Sequence, residues 1–576
     1  MTTISKKRFS SFTYLNTTQF LGALNDNIFK LLIVYFFIDL EGVENSYRIL
    51  SAAGATFVAP FLLFSTSSGF LADRFSKRNI IVLTKLLELV IMLLGVLFFY
   101  FQSKLGSFFI LFMLATQSAL FGPSKYGILP EIVEEEKISR ANGLMSSFTF
   151  LAIILGTFLA SFIVDMSGRS YIIAAGICTL FSLIGFLASL RIEYTPPAGA
   201  YRRFNIFFFS EIYKSIKIAA REPSLMPAIL GSAFFLFLGA YVQLNMIPYA
   251  TNILNMTDVQ GGYLFLLTAV GIGTGSVIAG KISGKSVELG LVPVAGLLIA
   301  ATVFLLDYYS DNLLYVIPLV VATGIFGGIY LVPLDSFIQI AAPNKYRGLI
   351  VATANFIGFI GVLLASLFIW VITEALGLQA DKGFSIVGIC VLLVALLFGF
   401  QFFDYTTRFI CMVLSKLHFQ STVSGIDNIP ANKPAIYVCR HTAWNDTLLM
   451  LGSQRRRMRF FIEQEQDHSK ILKRLYRMLR VVLMPDIETL DSSRPCIEAI
   501  KKSLKKGISV CIFVENENLE EEIAKLAKTH AYQELLSKKD YPVIPVTIIK
   551  GVKDKESRVF TRLMAKLRVP AAVTFG

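Results

Sequence analysis

The stretch GFLADRFSKR, residues 69–78, separates two apolar runs that are each long enough to cross a bilayer. One acid and three bases follow a run of more than twenty residues that holds no charge. Gly69 permits close approach of two helices, and Asp73 can accept hydrogen bonds from the amino end of another helix. The stretch therefore predicts a tight turn between two membrane helices that bonds across to a third.

Apolar runs of the same kind recur on both sides of this turn as far as Asp404, and none of comparable length follows. The chain is 55% hydrophobic and 16% charged, with a mean hydropathy of +0.63, which excludes a soluble protein for this region. The formal net charge of +14 is concentrated at helix ends and in the tail, where anionic lipid is the simpler partner, so no nucleic acid is expected. The runs predict twelve membrane helices near 18–40, 49–72, 79–102, 105–127, 141–165, 170–191, 226–251, 260–282, 288–308, 312–334, 347–375 and 383–404.

The longest loop of this region divides the twelve helices into two sets of six, a layout typical of secondary transporters. Lys and Arg cluster in the loops on one side of the membrane, which predicts a cytoplasmic position for that side, both termini and the tail. The boundaries that we expect are 1–192 for the first half, 193–225 for a linker, 226–404 for the second half, 405–420 for an amphipathic linker helix and 421–576 for a C-terminal domain.

The 69–78 stretch resembles the signature that the major facilitator superfamily carries between its second and third helices, with Ser76 in place of the second glycine. The resemblance implies the fold of that superfamily, an α-helical membrane protein of two six-helix halves. It also implies a gate, in which cross-helix bonds of the loop hold one conformation. The residues expected at the gate are Gly69, Asp73, Arg74, Lys77, Arg78 and Arg347.

Several other segments resemble the lysophospholipid transporter branch of the superfamily. They are FGPSKYGILP at 121–130, RANG at 140–143, VPLDSFIQ at 332–339 and ATANF at 352–356, with NDN at 25–27 and GAYVQLN at 239–245. The resemblance implies transport of a lysophospholipid, with lysophosphatidylethanolamine as the expected substrate, from the outer to the inner leaflet of a bacterial inner membrane. A drug exporter of the superfamily remains an alternative.

Charged side chains within membrane helices are costly unless they face a cavity or each other, so they are candidates for the transport path. A purely structural interpretation stays open, because Asp26 with Lys30, and Lys85 with Glu88, are spaced to pair on one helix face. A zwitterionic headgroup requires both signs of charge along its path. The candidate transport residues are Asp26, Asn27, Lys30, Lys85, Glu88, Lys125, Gln243, Asn245, Asp335 and Asn355.

The tail resembles the glycerolipid acyltransferase family, which implies an α/β domain. The resemblance rests on VSGIDNIP at 423–430, the apolar strand AIYVC at 435–439, RHTAWND at 440–446 and PVIPVTI at 542–548, in the family's order. It implies that His441 is the general base on a lysolipid hydroxyl and that Asp446 orients it. No covalent acyl-enzyme, bound cofactor or metal is expected, and the co-substrate is an acyl thioester of acyl carrier protein or coenzyme A.

Two segments depart from that family's pattern, FIEQ at 461–464 and FVENEN at 513–518. Glu515 is kept as a catalytic candidate, but both arginines expected to hold the substrate phosphate are absent. The residues that we expect to bind substrate instead are Arg455, Arg457, Arg459, Gln464 and Asn516. A transporter whose tail is only a docking module is therefore an alternative to an active enzyme.

The two resemblances together imply a lysophospholipid transporter fused to a lysophospholipid O-acyltransferase that acts on 1-acyl or 2-acyl lysolipid. Proteins that resemble this fusion often carry a third, acyl-activating ligase domain, so either the chain belongs to a longer protein or its donor is made elsewhere. The expected partners are membrane phospholipid and lysophospholipid, with acyl carrier protein or a separate acyl-activating ligase.

Overall fold

The structure, a computed structural model, describes residues 3–42, 46–199, 208–222, 224–284, 286–430, 433–440, 446–454, 456–463, 481–484, 494–514, 518–528, 541–550 and 569–576. The chain divides into two units, Met1–Phe402 and Phe403–Gly576. His441, Arg455, Gln464, Glu515 and Asn516 of the predicted sites lie outside the described residues.

The first unit is helical throughout its described part. Its first half comprises α1 (Thr3–Glu41), α2 (Ser46–Arg74), α3 (Lys77–Tyr100), α4 (Lys104–Gly127), α5 (Leu129–Ile132), a 3-10 turn (Glu135–Lys137), α6 (Ile138–Met166) and α7 (Tyr171–Leu190). After α8 (Phe208–Ala219), the second half comprises α9 (Leu225–Asn252), α10 (Asp258–Ser283), α11 (Leu291–Tyr308), α12 (Leu313–Ala341), a 3-10 turn (Asn344–Tyr346), α13 (Arg347–Trp370), a π-helix (Val371–Ala375) and α14 (Ala380–Gln401). Twelve of the described helices are long and apolar enough to cross a membrane, which confirms the predicted number of spans.

The turn between α2 and α3 is stabilised by the residue that departs from the superfamily signature. Ser76 is the N-cap of α3, and its hydroxyl accepts a hydrogen bond of 3.4 Å from the amide of Asn79. A serine at this position satisfies one of the free amides at the start of the helix, which a glycine side chain cannot do. The substitution therefore keeps the turn and adds a cap.

Glycines allow backbone contact between neighbouring helices of the second half. A Cβ atom added to Gly275 of α10 would lie 1.9 Å from the carbonyl oxygen of Ile325 in α12, and one added to Gly271 would lie 2.4 Å from that of Val321. Gly324 and Gly328 are equally close to α10 from the other side. Small residues at such spacing are the usual means of close helix packing in lipid.

The second unit is an α/β domain, as the sequence predicts. Its described elements are α15 (Phe403–His418), β1 (Phe419–Ser424), a 3-10 turn (Ile426–Asn428), β2 (Ile436–Arg440), α16 (Asp446–Ser453), β3 (Met458–Glu463), β4 (Val482–Met484), α17 (Arg494–Lys505), β5 (Ser509–Val514), α18 (Leu519–Lys528), β6 (Val543–Lys550) and β7 (Val569–Phe575). The described strands form one sheet in the order β1-β7-β6-β2-β5-β3-β4. Among the pairings of these described strands, only β6–β7 is antiparallel.

Both faces of this sheet are covered, because the side chains of β2 and β5 alternate between two cores. Tyr437 and Cys439 of β2 belong to the core that contains Met450 of α16, whereas Ile436 and Val438 belong to the core that contains Ile500 of α17. Strands that are buried on both faces read as continuous apolar runs, which explains the predicted strand at 435–439.

Candidate functional site

A cavity of about 450 Å³ lies between the two halves of the first unit. Helices α1, α2, α3, α4 and α6 line it from the first half, and α9, α12 and α13 line it from the second. Aromatic rings from both halves form much of its apolar wall, including Phe61, Phe121, Phe150, Phe235 and Phe359. Its polar lining comprises Gln19, Asp26, Lys85, Gln117, Ser118, Lys125, Tyr126, Ser146, Thr149, Ser232, Asp335, Gln339 and Asn355.

Each half contributes one carboxylate to this cavity, and each carboxylate accepts a hydrogen bond from a serine of its own half. Ser118 donates to Asp26 Oδ2 at 2.7 Å, and Ser232 donates to Asp335 Oδ1 at 2.8 Å. A hydroxyl group orients a carboxylate without neutralising it. Both groups therefore remain able to receive a cation in the cavity.

The two lysines of the cavity differ in their partners. Lys85 Nζ lies 2.5 Å from Glu88 Oε2, with both side chains 1% exposed, and Glu88 also accepts hydrogen bonds from Asn25 and Gln117. Among the described residues Lys125 forms no ion pair, and its ammonium lies 4.5 Å from the ring centroid of Tyr126. The predicted pairing of Lys85 with Glu88 is thus present, while Lys125 is left for a ligand.

The structure brings only part of the predicted transport residues to the cavity, namely Asp26, Lys85, Lys125, Asp335 and Asn355. The other predicted residues have different surroundings: Asn27 donates to the carbonyl of Ala23, Lys30 lies over the ring of Phe57, Glu88 holds Lys85, Asn245 donates to the carbonyl of Ala380, and Gln243 is exposed. Gln19, Ser118 and Ser232 also line the cavity and were not among the predicted residues. Their signal was a polar but uncharged residue within an apolar run, which is common and therefore weak.

Asp73 joins the two halves at the end of the bundle that carries the 69–78 turn, here called the basic end. Its carboxylate is fully buried and accepts hydrogen bonds from the amides of Gly348 at 2.6 Å and Leu349 at 3.0 Å. These are among the first amides of α13, which lack partners within the helix and carry its positive partial charge. The arrangement is the cross-helix bond that the sequence predicts for Asp73.

Two further contacts close the basic end. A Cβ atom on Gly69 would lie 2.7 Å from Cβ of Ala352, so a larger residue would separate α2 from α13. Asn142 of α6 and Gln339 of α12 exchange amide hydrogen bonds of 3.0 Å and 2.9 Å. Contacts between α2 and α13 and between α6 and α12 thus hold the two halves together at the basic end.

The basic residues of the predicted gate contact neighbouring segments. Lys77 is buried with its Nζ 2.5 Å from Glu131 Oε1, and Arg78 donates to the carbonyls of Leu190 and Ile192. The guanidinium of Arg74 lies over Phe70 and Phe75, and Arg347 donates to Asn344.

In the second unit, four parallel strands end at one edge of the sheet, here called the carboxyl edge. Strands β2, β3, β5 and β6 run in the same direction and end at Arg440, Glu463, Val514 and Lys550. Residues that follow parallel strands collect at such an edge, which is where α/β domains bind ligands. In the sequence, His441 directly follows β2, Gln464 follows β3 and Glu515 follows β5.

The described part of the predicted catalytic pair has a partner that the sequence analysis missed. Asp446 is fully buried at the start of α16, and Lys550 Nζ lies 2.5 Å from its Oδ1 atom. Burial, reinforced by the charge of Asp446, raises the pKa of the nearby Cys439 thiol, which makes that thiol a poor nucleophile. Only strand topology brings Lys550 to Asp446, because the two residues are far apart in the sequence.

Arg457 and Arg459 lie at the opposite edge of the sheet from the strand ends. Arg459 is opposite Val510, near the start of β5, and its guanidinium is 3.6 Å from Asp404 Oδ2. The guanidinium of Arg457 lies 4.8 Å from the ring centroid of Tyr405. Their charges are directed toward α15, away from the carboxyl edge.

Residues 15–366, which are more than half of the chain, match the family described as the Major Facilitator Superfamily. The protein belongs to this superfamily. Residues 420–549 of this superfamily member match the family described as Acyltransferase. These matches confirm the predicted fold class and the predicted fusion of a transporter to an acyltransferase domain.

Curated relatives of this superfamily member include the lysophospholipid transporter LplT of Enterobacter sp. (strain 638), 29% identical over 56% of this chain and 79% of the relative. The same-named protein of Klebsiella pneumoniae is 28% identical over 56% and 78%. Among solved structures, the major facilitator superfamily transporter FucP in the outward conformation gives a TM-score of 0.56 at 15% identity, covering 69% of this chain and 99% of that one. The human organic anion transporter MFSD10 gives 0.56 at 14% identity, covering 69% and 100%, and both likenesses concern the fold alone.

Proposed function

We propose that the protein moves lysophospholipid from the outer to the inner leaflet of a bacterial inner membrane and that its C-terminal domain restores the second acyl chain. The observation that carries the transport step is the cavity, in which Lys125 and the carboxylates of Asp26 and Asp335 face one space. Relatives named as lysophospholipid transporters support this assignment. We propose lysophosphatidylethanolamine as the preferred substrate.

The charges of the cavity fit the two ends of a zwitterionic headgroup. Lys125 binds the phosphate, since its ammonium forms no ion pair within the described part of the chain. Asp26 and Asp335 bind the ethanolamine ammonium, because each is oriented by a serine without being neutralised. The aromatic wall accepts the apolar part of the lipid next to the headgroup.

Orientation and domain boundaries belong to the same proposal. The basic end faces the cytoplasm, since loops rich in Lys and Arg stay on that side. Both termini and the acyltransferase domain are then cytoplasmic. We retain the boundaries 1–192, 193–225, 226–404, 405–420 and 421–576 for the halves, the linkers and the C-terminal domain.

In the proposed acyl transfer, His441 removes the proton from the free hydroxyl of the lysolipid. The hydroxyl oxygen attacks the thioester carbonyl, the new C–O bond forms, the C–S bond breaks, and the thiolate leaves with the proton that His441 has taken. Asp446 orients the imidazole, and Lys550 holds the Asp446 carboxylate in place. The donor is the thioester of acyl carrier protein or coenzyme A. Glu515 remains a proposed catalytic residue, and Arg455, Gln464 and Asn516 remain proposed substrate contacts.

A second candidate, a C-terminal domain that only positions or docks, is favoured by one observation. Arg457 and Arg459, which were expected to replace the missing phosphate-binding arginines, are directed toward α15. In that case the transporter would act alone and the lysolipid would be acylated by another enzyme.

One experiment separates these candidates. Purified full-length protein in bilayer nanodiscs receives lysophosphatidylethanolamine with acyl carrier protein thioester or acyl coenzyme A, and the diacyl product is measured. We expect product from the wild type and from His418→Ala, a matched control on α15, but roughly 10²–10⁴-fold less from His441→Ala. Absence of product from the wild type with both donors, together with normal lysolipid uptake, would establish the docking alternative.

A further inference from the structure

The helix α15 directly precedes the acyltransferase domain and carries apolar side chains on two opposite faces. On one face Phe409, Cys411 and Met412 are buried, Cys411 belongs to a core of the second unit, and α15 contacts α16. The opposite face carries Ile410, Val413, Leu414 and Leu417, whose exposed fractions are 45%, 38%, 48% and 58%. A helix that packs one face on its own domain has no need of a second apolar face.

The four exposed residues form a continuous stripe, because their spacing of three, one and three residues places them on one side of a helix. The other exposed large apolar residues among those described in this unit are Ile426, Ile549 and Val569, which are separated along the sequence. Single exposed apolar residues are normal, but a contiguous stripe marks a binding surface. We call residues 410, 413, 414 and 417 the outer stripe.

The chain itself indicates what covers the outer stripe. The last membrane helix, α14, ends at Gln401, and α15 begins at Phe403, so α15 starts where the chain leaves the membrane. On α14, Leu393 and Leu396 are 56% and 48% exposed, the same range as the outer stripe. The remaining exposed residues of α15 are Lys416 and His418, so its exposed surface includes no acid that would repel anionic headgroups.

We propose that the outer stripe inserts into the interfacial layer of the bilayer, with α15 lying in the membrane plane as an amphipathic anchor. Anionic lipid is the occupant, with Lys416 beside the headgroups. The anchor limits the acyltransferase domain to the membrane surface, where a lysolipid is found. This last consequence rests on the proposed function, whereas the membrane contact itself does not.

Spin labels test the contact without any assay of activity. The six cysteines of the full chain are replaced, and single cysteines are introduced at Leu414, Leu417 and, as a control on the exposed surface of α17, Lys505. The labelled protein is placed in nanodiscs of phosphatidylethanolamine with a minority of phosphatidylglycerol. We expect labels at 414 and 417 to collide with oxygen, which concentrates in lipid, and to be shielded from a water-soluble nickel chelate, with the reverse at 505.

Two outcomes would overturn the proposal. Labels at 414 and 417 that are as accessible to the nickel chelate as the label at 505 would show that the stripe faces water. Labels that are shielded from both reagents would show that protein covers it, either another part of this chain or a second copy. If the labels at 414 and 417 lose their contact with oxygen when the protein is in detergent instead of nanodiscs, that loss would further identify the bilayer as the occupant.

Activity gives a second, separate test. Leu414→Glu is expected to lower acyl transfer to bilayer-embedded lysolipid roughly tenfold, the effect of losing one buried leucine. Transfer to a short-chain, water-soluble lysolipid should be unchanged, because Leu414 is outside the proposed catalytic site. Ile549→Glu, at a residue of similar exposure outside α15, should change neither rate. Equal loss on both substrates would contradict the anchor, and absence of any wild-type activity would refute the proposed function while leaving the labelling result intact.

Discussion

The membrane cavity and the carboxyl edge of the C-terminal sheet place charge in different ways, although both are proposed to receive the same lipid. In the cavity, Lys125, Asp26 and Asp335 are oriented by neutral neighbours. At the carboxyl edge, the ammonium of Lys550 already lies against the Asp446 carboxylate. Under the proposed function, this difference suits recognition of a headgroup in the cavity and fixed catalytic groups at the edge.

The cost of burying charge explains why the two regions differ. An unpaired charge within a bilayer is tolerated when it faces a polar cavity that admits water or a ligand. Asp446 is fully buried in a protein core, where an unpaired carboxylate would be strongly destabilising. The cavity can therefore contain charged side chains that form no ion pair among the described residues, whereas the buried carboxylate of Asp446 requires a permanent counter-ion.

The largest expected effect separates the two regions completely. His441→Ala should reduce acyl transfer roughly 10²–10⁴-fold, because the lysolipid hydroxyl loses its general base. Uptake of lysolipid into spheroplasts should be unchanged, since His441 belongs to the C-terminal domain. Acyl transfer that survives the substitution would refute the mechanism, and an equal loss of uptake would refute the division of roles.

The second prediction concerns the counter-ion at the carboxyl edge. Lys550→Gln should destabilise the second unit by about 3 kcal/mol, because it leaves a buried carboxylate without its cation. Lys525→Gln, which removes a partly exposed pair with Glu522, should cost less than about 1 kcal/mol. Hydrogen exchange of β2 and β5 in the full-length protein measures both changes.

The double substitution Lys550→Gln with Asp446→Asn refines this second prediction. Removal of both charges should recover much of the protection that Lys550→Gln alone loses, since the buried carboxylate is gone. Acyl transfer should stay low, because His441 no longer has its orienting group. Additive losses of protection in the double variant would show that the two residues act independently.

The third prediction tests headgroup recognition in the cavity. Lys125→Gln should reduce uptake roughly 10–100-fold for every lysophospholipid, since it removes a charged partner of the phosphate. Asp335→Asn should reduce uptake of lysophosphatidylethanolamine but not of lysophosphatidylglycerol, whose headgroup has no ammonium. Lys104→Gln is the control, because Lys104 forms a surface pair with Glu41. Identical effects of Asp335→Asn on both lipids would contradict the assignment.

The sequence predicted those features that depend on local pattern. Twelve apolar runs predicted the twelve membrane spans. The 69–78 stretch indicated both the superfamily and the hydrogen bonds of Asp73 to the amino end of another helix. The resemblance of the tail to the glycerolipid acyltransferase family predicted the α/β domain that the structure contains. Each of these features follows from apolar runs or from short motifs, so no knowledge of distant contacts was needed.

The features that the sequence could not predict depend on distant pairs. Lys550 reaches Asp446 only because β6 lies beside β2 in the sheet. Ser118 and Ser232 orient the cavity carboxylates from neighbouring helices. Arg457 and Arg459 closely precede the 461–464 segment, one of whose missing arginines they were expected to replace, yet β3 starts at the other edge of the sheet. Sequence proximity is therefore a poor guide to a site built across strands.

The fourth prediction concerns the proposed gate, the α2–α13 contact at the basic end. Asp73→Asn should weaken the cap on α13 by about 1–2 kcal/mol, since an amide interacts less favourably than a carboxylate with a helix amino end. A change of that size shifts the population of the closed basic end roughly tenfold. Accessibility of cysteines introduced along α2 and α13 measures the shift, and Asp165→Asn, at an exposed residue of α6, is the control.

A steric variant tests whether the gate depends on close approach as well as on charge. Gly69→Ala should open the basic end in the same direction as Asp73→Asn, because the new Cβ atom would meet Ala352 of α13 at 2.7 Å. Gly54→Ala is a matched control on α2, since a Cβ atom there would have no neighbour within 4 Å. If the introduced cysteines are equally accessible in the Gly69→Ala and Gly54→Ala variants, the α2–α13 contact is not the gate. If both gate variants open the basic end while Lys125→Gln does not, the gate and the headgroup site are separate parts of the transporter.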